Sequence, residues 1–102
     1  MRVILSRAAE ADLDEILVYV ANSSGSLEIG RSLLRAISKR LDRIGRFPLI
    51  GKRYEAGPDL TVRTLLAGNY IIFYSVRDNE IRILRIIHSS RDAFAVFAGE
   101  WS

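Results

Sequence analysis

The sequence has 102 residues, of which 49% are hydrophobic and 26% charged, and its net charge is +3. These values are typical of a globular protein, and we predict a single domain over residues 1–102. The chain has no cysteine and one histidine, which excludes disulfides, thiol catalysis and zinc sites built on cysteines or on several histidines. No apolar run is long enough for a signal peptide or a membrane span, so we expect a cytoplasmic protein without membrane contact.

The first half of the chain predicts a strand and two helices. Arg2–Leu5 is a short apolar strand, and a helix follows over Ser6–Ala21 with its serine as the cap. A linker at residues 22–26 precedes a second helix over Leu27–Phe47, which ends because Pro48 cannot continue it. Two such helices form a hairpin whose apolar sides can cover a sheet.

The outer side of the first helix is acidic. It carries Glu10, Asp14 and Glu15, with Asp12 close by. Neighbouring carboxylates raise the hypothesis of acid–base catalysis. Negative charge in the first turns of a helix also opposes the helix dipole favourably, so we interpret these residues as a solvated capping face.

The second helix is basic on the side opposite its apolar residues. Residues 31–53 contain eight basic residues and one acidic residue. Such a charged face indicates an acidic protein or a polyanion as a partner, and the alternative is a solvated amphipathic helix. The apolar side is formed by Leu33, Leu34, Ile37, Leu41 and Ile44, and the basic side by Arg31, Arg35, Lys39, Arg43 and Arg46.

The second half of the chain predicts an antiparallel meander. Three apolar runs with high strand propensity, Val62–Ala67, Tyr70–Val76 and Ile81–His88, are separated by two residues each. The separating pairs, Gly68-Asn69 and Asp78-Asn79, tolerate the positive φ of two-residue hairpin turns.

Two-residue turns also fix the pairing of the strands. They place Arg63 opposite Tyr74 and Tyr74 opposite Ile83, with Leu65, Ile72 and Arg85 in the next row. We expect the helices to cover the face that carries Val62, Leu66, Ile71, Phe73, Leu84 and Ile86. The opposite face carries Arg63, Tyr70, Tyr74 and Arg85 among Leu65, Ile72 and Ile83. This half-polar face is either a binding surface or a solvated face with an edge arginine and an ion-paired arginine.

The one catalytic chemistry that these residues suggest is acid–base cleavage of RNA. Arg63 and Arg85 would stabilise the phosphate in the transition state, while Tyr74, His88 or Glu55 would transfer protons. His88, however, is predicted at the strand end on the helix-covered face, away from both arginines, where a structural role is favoured. No Gly-rich phosphate loop is present, and we expect no cofactor and no metal.

Several stretches together resemble the RelE/ParE superfamily of toxins. They are SRAAEADLDEI near the start, Pro48-x-x-Gly51, Arg63, the run Asn69–Tyr74 and the ending Arg85–Asp92. The resemblance covers nearly the whole chain. It implies an α+β fold in which a helical hairpin packs on a small antiparallel sheet that includes the N-terminal strand, with order β-α-α-β-β-β and a short C-terminal helix. It also implies a toxin of a type II toxin–antitoxin pair, neutralised by a cognate antitoxin.

The ending of the last strand distinguishes the two activities of the superfamily. His88-Ser-Ser-Arg91-Asp92 is similar to the ParE-type H-x-x-R-D, although ParE-like sequences usually have glycine and a small or basic residue at the two serine positions. This similarity implies a non-enzymatic inhibitor of DNA gyrase, which meets DNA only through the antitoxin complex. The alternatives are a ribosome-dependent mRNA endonuclease that uses Arg63, Tyr74, Arg85 and His88, and an inactive module that binds only the antitoxin.

The predicted contact residues belong to three regions. They are the basic helix, the sheet arginines and the apolar C-terminal segment after Asp92, whose aromatic residues either close the core or form a patch for a partner. The candidate binding residues are Arg31, Arg35, Lys39, Arg46, Arg63, Arg85, Arg91, Phe94, Phe97 and Trp101.

Overall fold

The computed structural model describes residues 1–57, 60–90 and 92–101 and confirms the predicted α+β class. A five-stranded sheet carries a helical hairpin on one face and a short helix on the other. In chain order the elements are β1 (Arg2–Leu5), α1 (Arg7–Ser24), α2 (Leu27–Arg46), β2 (Lys52–Gly57), β3 (Leu60–Ala67), β4 (Tyr70–Arg77), β5 (Glu80–His88) and α3 (Ala93–Trp101). Strand β2 is additional to the predicted elements.

The strands are arranged in the order β1-β5-β4-β3-β2. Strand β1 pairs in parallel with β5, and the other neighbours are antiparallel. The pairing of the N-terminal strand into the sheet, which the family resemblance implies, is therefore confirmed. The meander begins one strand earlier than predicted, so β2 and β1 are the two edge strands.

Both predicted two-residue turns are present. Asp78 and Asn79 have φ angles of 54° and 61°, and Gly68 has a φ angle of 59°. The positive φ angles at both Asp78 and Asn79 are those of a type I′ turn, whose twist matches that of the flanking strands. The turn residues thus fix the connections of the meander.

The predicted register is correct near the turns and wrong at the far end of β5. Arg63 pairs with Tyr74 and Tyr74 with Ile83, but Ile72 faces Ile86 rather than Arg85. The cause is a β-bulge, because one extra residue of β5 lies opposite the step from Phe73 to Tyr74. Turn geometry determines the register only as far as the first bulge.

The assignment of the two sheet faces is reversed relative to the prediction. The hairpin of α1 and α2 covers the face that carries Tyr70, Ile72, Tyr74 and Ile83. The predicted helix-covered residues Val62, Ile71, Phe73 and Leu84 instead pack under α3, and Leu66 is exposed. Ile86 does contact the hairpin, since the bulge changes the alternation of β5. Both faces are apolar enough to be covered, so alternation alone did not distinguish them.

The helix ends follow from their caps. Ser6 and Ser26 cap α1 and α2 by accepting hydrogen bonds from Ala9 and Ile29. Helix α1 continues three residues beyond the predicted end and stops at Gly25, which adopts the left-handed conformation that favours glycine. The connection between the two helices is accordingly shorter than the predicted linker.

The carboxylate of Asp12 joins α1 to the bulge of β5. Its Oδ2 accepts from Arg85 Nε and from the Ile86 backbone N–H, both at 2.8 Å, and its Oδ1 accepts from Arg85 Nη2 at 2.9 Å. Ser6 adds a second link, because its hydroxyl donates to the Leu84 carbonyl. Asp12 is buried, so its assignment to a solvated capping face was wrong. One carboxylate satisfies both an arginine and a backbone N–H of β5 that lies beyond Ile83, where the pairing with β1 ends.

We predict that Asp12→Ala destabilises the fold strongly. The substitution leaves the partly buried Arg85 guanidinium and the Ile86 N–H without this acceptor, and loss of one partner of a buried ion pair typically costs about 3–5 kcal/mol. Urea unfolding measures the change in the free energy of unfolding. Asp14→Ala, at an exposed position of the same helix, is the control and should cost less than about 1 kcal/mol. Equal effects of the two substitutions would contradict this role of Asp12.

Candidate functional site

The predicted basic face of α2 is open to solvent. Arg31, Arg35, Lys39 and Arg46 are all exposed. Arg35 contacts Glu28 at 3.1 Å, but both side chains are more than half exposed, and such surface pairs contribute little. Among the described residues, no salt bridge engages the other three. The helix therefore presents cationic side chains that a partner can reach.

A short apolar loop follows directly at the end of this helix. In residues 47–51, Phe47 and Leu49 are 60% and 68% exposed, and Ile50 is 37% exposed. Exposed basic residues flank the loop on both sides, Arg46 before it and Lys52 after it. Sequence reasoning treated this stretch only as a connection, although three large apolar residues in a loop are a signal for a contact surface.

Two of the predicted site residues hold this loop in place. The Tyr74 hydroxyl donates to the Pro48 carbonyl and accepts from the Gly51 N–H, both at 2.8 Å. Arg63 Nη1 donates to the carbonyls of Leu49 at 3.2 Å and Gly51 at 2.8 Å. The four contacts replace hydrogen bonds that a loop would otherwise make with water. The exposed apolar side chains thus sit on a fixed backbone.

Close packing around Tyr74 explains the glycine of the Pro48-x-x-Gly51 motif. A Cβ atom on Gly51 would lie 2.6 Å from the Tyr74 hydroxyl oxygen and 2.9 Å from the Thr64 carbonyl oxygen. Burial raises the pKa of Tyr74, and the Gly51 N–H and Arg63 offset only part of this effect. The phenol therefore stays protonated and can donate to Pro48.

The residues of the predicted ribonuclease site do not converge. Arg63 and Tyr74 bind the loop, whereas Arg85 is paired with Asp12 beneath α1. His88 pairs with Tyr70, and the four steps along β4 from Tyr70 to Tyr74 span roughly 13 Å. His88 Nδ1 accepts from the Ser90 N–H at 2.9 Å, so its predicted structural role involves a backbone donor rather than a carbonyl.

The predicted aromatic contact residues of the C-terminal helix differ in their exposure. Phe97 is fully buried and stacks on Phe73 with ring centroids 4.5 Å apart, so it closes the core and is not accessible to a partner. Phe94 is partly exposed and contacts Tyr54 and Phe73 edge-on. The remaining candidates, Arg91 and the side chain of Trp101, lie outside the part of the chain that the structure describes.

The described residues form neither a metal-binding cluster nor a membrane-spanning helix. Within residues 1–57, 60–90 and 92–101, no group of three or more histidine or acidic side chains is arranged to hold a metal ion. None of the helices in these ranges is both long and apolar enough to cross a bilayer.

Comparison with known proteins identifies relatives over most of the chain. A family model described as the ParE toxin of the type II toxin–antitoxin system parDE matches residues 3–93. The chain is 30% identical over 95 residues to Toxin ParE1 of Caulobacter vibrioides, covering 89% of this chain and 92% of that protein. It also superposes on a chain from a chromosomal ParDE toxin–antitoxin system of P. aeruginosa with a TM-score of 0.73 and 26% identity. That superposition covers 86% of this chain and 95% of the other.

We predict that the Tyr74 hydroxyl makes stability fall at high pH. Because the folded pKa is raised above 10.0, this contribution is fully present below pH 10 and is lost as pH rises from 10 through the folded pKa, by at most about 1.4 kcal/mol per pH unit. Tyr74→Phe should show a shallower decline. At neutral pH it should be less stable by about 1–3 kcal/mol, since the Gly51 N–H loses its acceptor.

Urea unfolding between pH 7 and 11 measures both effects. Tyr54→Phe is the control, because the Tyr54 hydroxyl makes no hydrogen bond to another described residue. Parallel pH curves for the wild type and Tyr74→Phe would contradict the first effect.

Proposed function

Because the chain belongs to the ParE toxin family of type II toxin–antitoxin systems, we propose that it arrests growth by inhibiting DNA gyrase. The family implies a cognate antitoxin as its partner. In this proposal the protein acts in the cytoplasm as a binding inhibitor, and the antitoxin prevents its contact with gyrase. The observation that carries the proposal is the family match, which extends over residues 3–93.

The state of the sheet arginines supports inhibition by binding rather than RNA cleavage. A ribonuclease needs cationic side chains that are free to contact the phosphate beside a group that transfers a proton. Arg63 instead holds the loop carbonyls, and Arg85 is in an ion pair with Asp12. Tyr74 is fully buried. Each of these residues thus has a structural partner where a ribonuclease would require an available group.

The surface formed by the exposed basic side of α2 and the loop at residues 47–51 is suited to a protein partner. Apolar side chains on a fixed backbone provide area to bury at little cost in conformational entropy. The surrounding positive charge favours an acidic segment and accelerates its association. Strand β2 lies beside the loop at a sheet edge, where an extended segment can add as a further strand. We assign this combined surface to the antitoxin.

The experiment that tests the function measures two processes after induction of the protein without antitoxin. Pulse labelling of DNA and protein synthesis in cells is combined with a supercoiling assay on purified gyrase. We expect an early fall in DNA synthesis and a loss of supercoiling that added antitoxin restores. A prompt stop in translation with cleaved mRNA would establish the ribonuclease instead, and no growth defect would leave an antitoxin-binding module.

We predict that Lys39→Glu slows association with the antitoxin. The reversal places an acidic group in the middle of the basic face and repels an acidic partner, so the association rate at low salt should fall severalfold while the fold is retained. Stopped-flow or surface-based kinetics at two salt concentrations measure the rate. Arg7→Glu is the matched control, since it makes the same change in net charge at an exposed position of α1. Equal association rates for the two variants would contradict the assignment.

A further inference from the structure

A cleft lies on the hairpin side of the sheet, between α1 and the ends of β4 and β5. Its volume is about 420 Å³, within the range of roughly 300–1,000 Å³ that is typical of ligand pockets. Its walls combine the aliphatic side chain of Ile16 with Glu15, Tyr19, Tyr70 and His88. None of these residues takes part in the surface assigned to the antitoxin.

Tyr70 brings an unpaired polar group into this cleft. Its side chain is only 7% exposed, yet its hydroxyl makes no hydrogen bond to any other described residue. Burial raises the pKa of Tyr70, and Tyr19, which lines the same cleft, raises it further. The described part of the chain contains no buried side-chain oxygen or nitrogen without a partner, so the Tyr70 hydroxyl is reached by solvent and is available to a ligand. A ligand group in the cleft can hydrogen-bond to this hydroxyl.

The charge of the cleft is negative. Asp12 also lines it, but both of its oxygens already accept hydrogen bonds from Arg85 and Ile86. Glu15 is exposed and forms no salt bridge with a described residue. Glu10 and Asp14 add further negative charge on α1. Glu15 therefore supplies an available carboxylate in a negative field, which attracts cations and repels anions.

The other walls carry no compensating positive charge among the described residues. His88 Nδ1 accepts from the Ser90 N–H, so this ring nitrogen is already engaged within the protein. The edge of the imidazole contacts the Tyr70 ring, with centroids 5.0 Å apart. The ring of Tyr19 is 67% exposed at the opening. An exposed aromatic ring and an available carboxylate beside the same cleft are the groups that bind an organic cation.

We propose that this cleft is a binding site for an arginine side chain of a protein partner. A guanidinium has five N–H donors and no acceptor, which matches the Glu15 carboxylate and the acceptor oxygens of the two phenols. Its planar group also stacks on an aromatic ring, as the exposed ring of Tyr19 allows, and it is less strongly hydrated than an ammonium. The aliphatic part of the side chain would contact Ile16.

The test uses the full chain, labelled with ¹⁵N, and the probe acetyl-arginine-amide. Chemical shifts are followed by NMR as the probe is added, with acetyl-citrulline-amide as a neutral probe of nearly the same shape. We expect the arginine probe to move the resonances of Glu15, Tyr19, Tyr70 and His88 with a dissociation constant on the order of 1 mM. The citrulline probe should bind at least fivefold more weakly. Neither gyrase nor the antitoxin is needed, so failure here is distinct from failure of the proposed function.

Three variants separate the contributions to binding. Glu15→Gln should weaken the arginine probe about fivefold, the scale of a partly exposed ion pair, whereas Asp14→Asn, on the same helix outside the cleft lining, should not. Tyr19→Phe keeps the aromatic ring and should retain most of the ring's contribution to the affinity for the arginine probe. Tyr19→Ala removes the ring and should lose that contribution. Equal binding of the two probes, an unchanged affinity in Glu15→Gln, or shifts outside the cleft would each overturn the proposal.

Discussion

The ion pair between Asp12 and Arg85 is the interaction on which the arrangement of the molecule depends. It connects positions 73 residues apart in sequence and lies where the first helix crosses the bulge of β5. The pairing of β1 with β5 ends at Ile83, and Asp12 accepts from the backbone N–H of Ile86 beyond that point as well as from the guanidinium. The contact therefore fixes the position and orientation of α1 on the sheet. Because α1 forms one wall of the cleft, it also determines the shape of that site.

The local structure was largely predictable because it depends on residues that are close in sequence. Capping serines, the proline after α2 and the two asparagine-containing turns each act within a few positions, and the helices and strands lie near the predicted boundaries. The assignment of the sheet faces was not predictable in this way. Both faces of the meander are apolar, and Tyr70, Tyr74 and Arg85 appear polar in the sequence although they are buried or paired in the structure. Only the long-range partners of these residues determine which face lies beneath the hairpin.

The candidate site likewise has features that neighbouring residues determine and features that depend on residues distant in the sequence. The basic side of α2 could be predicted from helical periodicity and is exposed as expected. The loop at residues 47–51 was missed as a surface because its rigidity comes from Tyr74 and Arg63, which are distant in the sequence. These two residues appeared to be candidates for catalysis, and their hydrogen bonds indicate instead that they support the loop. A residue that matches a superfamily pattern therefore cannot be assigned a role until its hydrogen-bond partners are known.

The parallel pairing of β1 with β5 has a consequence for the order of folding during synthesis. Strand β1 is made first, but its neighbour in the sheet begins at Glu80 and the residue that pairs with Asp12 is Arg85. A chain still on the ribosome can form the helical hairpin early, because its contacts are local, whereas the sheet beneath it requires nearly all of the described sequence. The cleft, which is lined by residues at the end of β5, consequently forms only after that strand has been synthesised. Translation thus delays the appearance of a competent toxin until its last strand has been released.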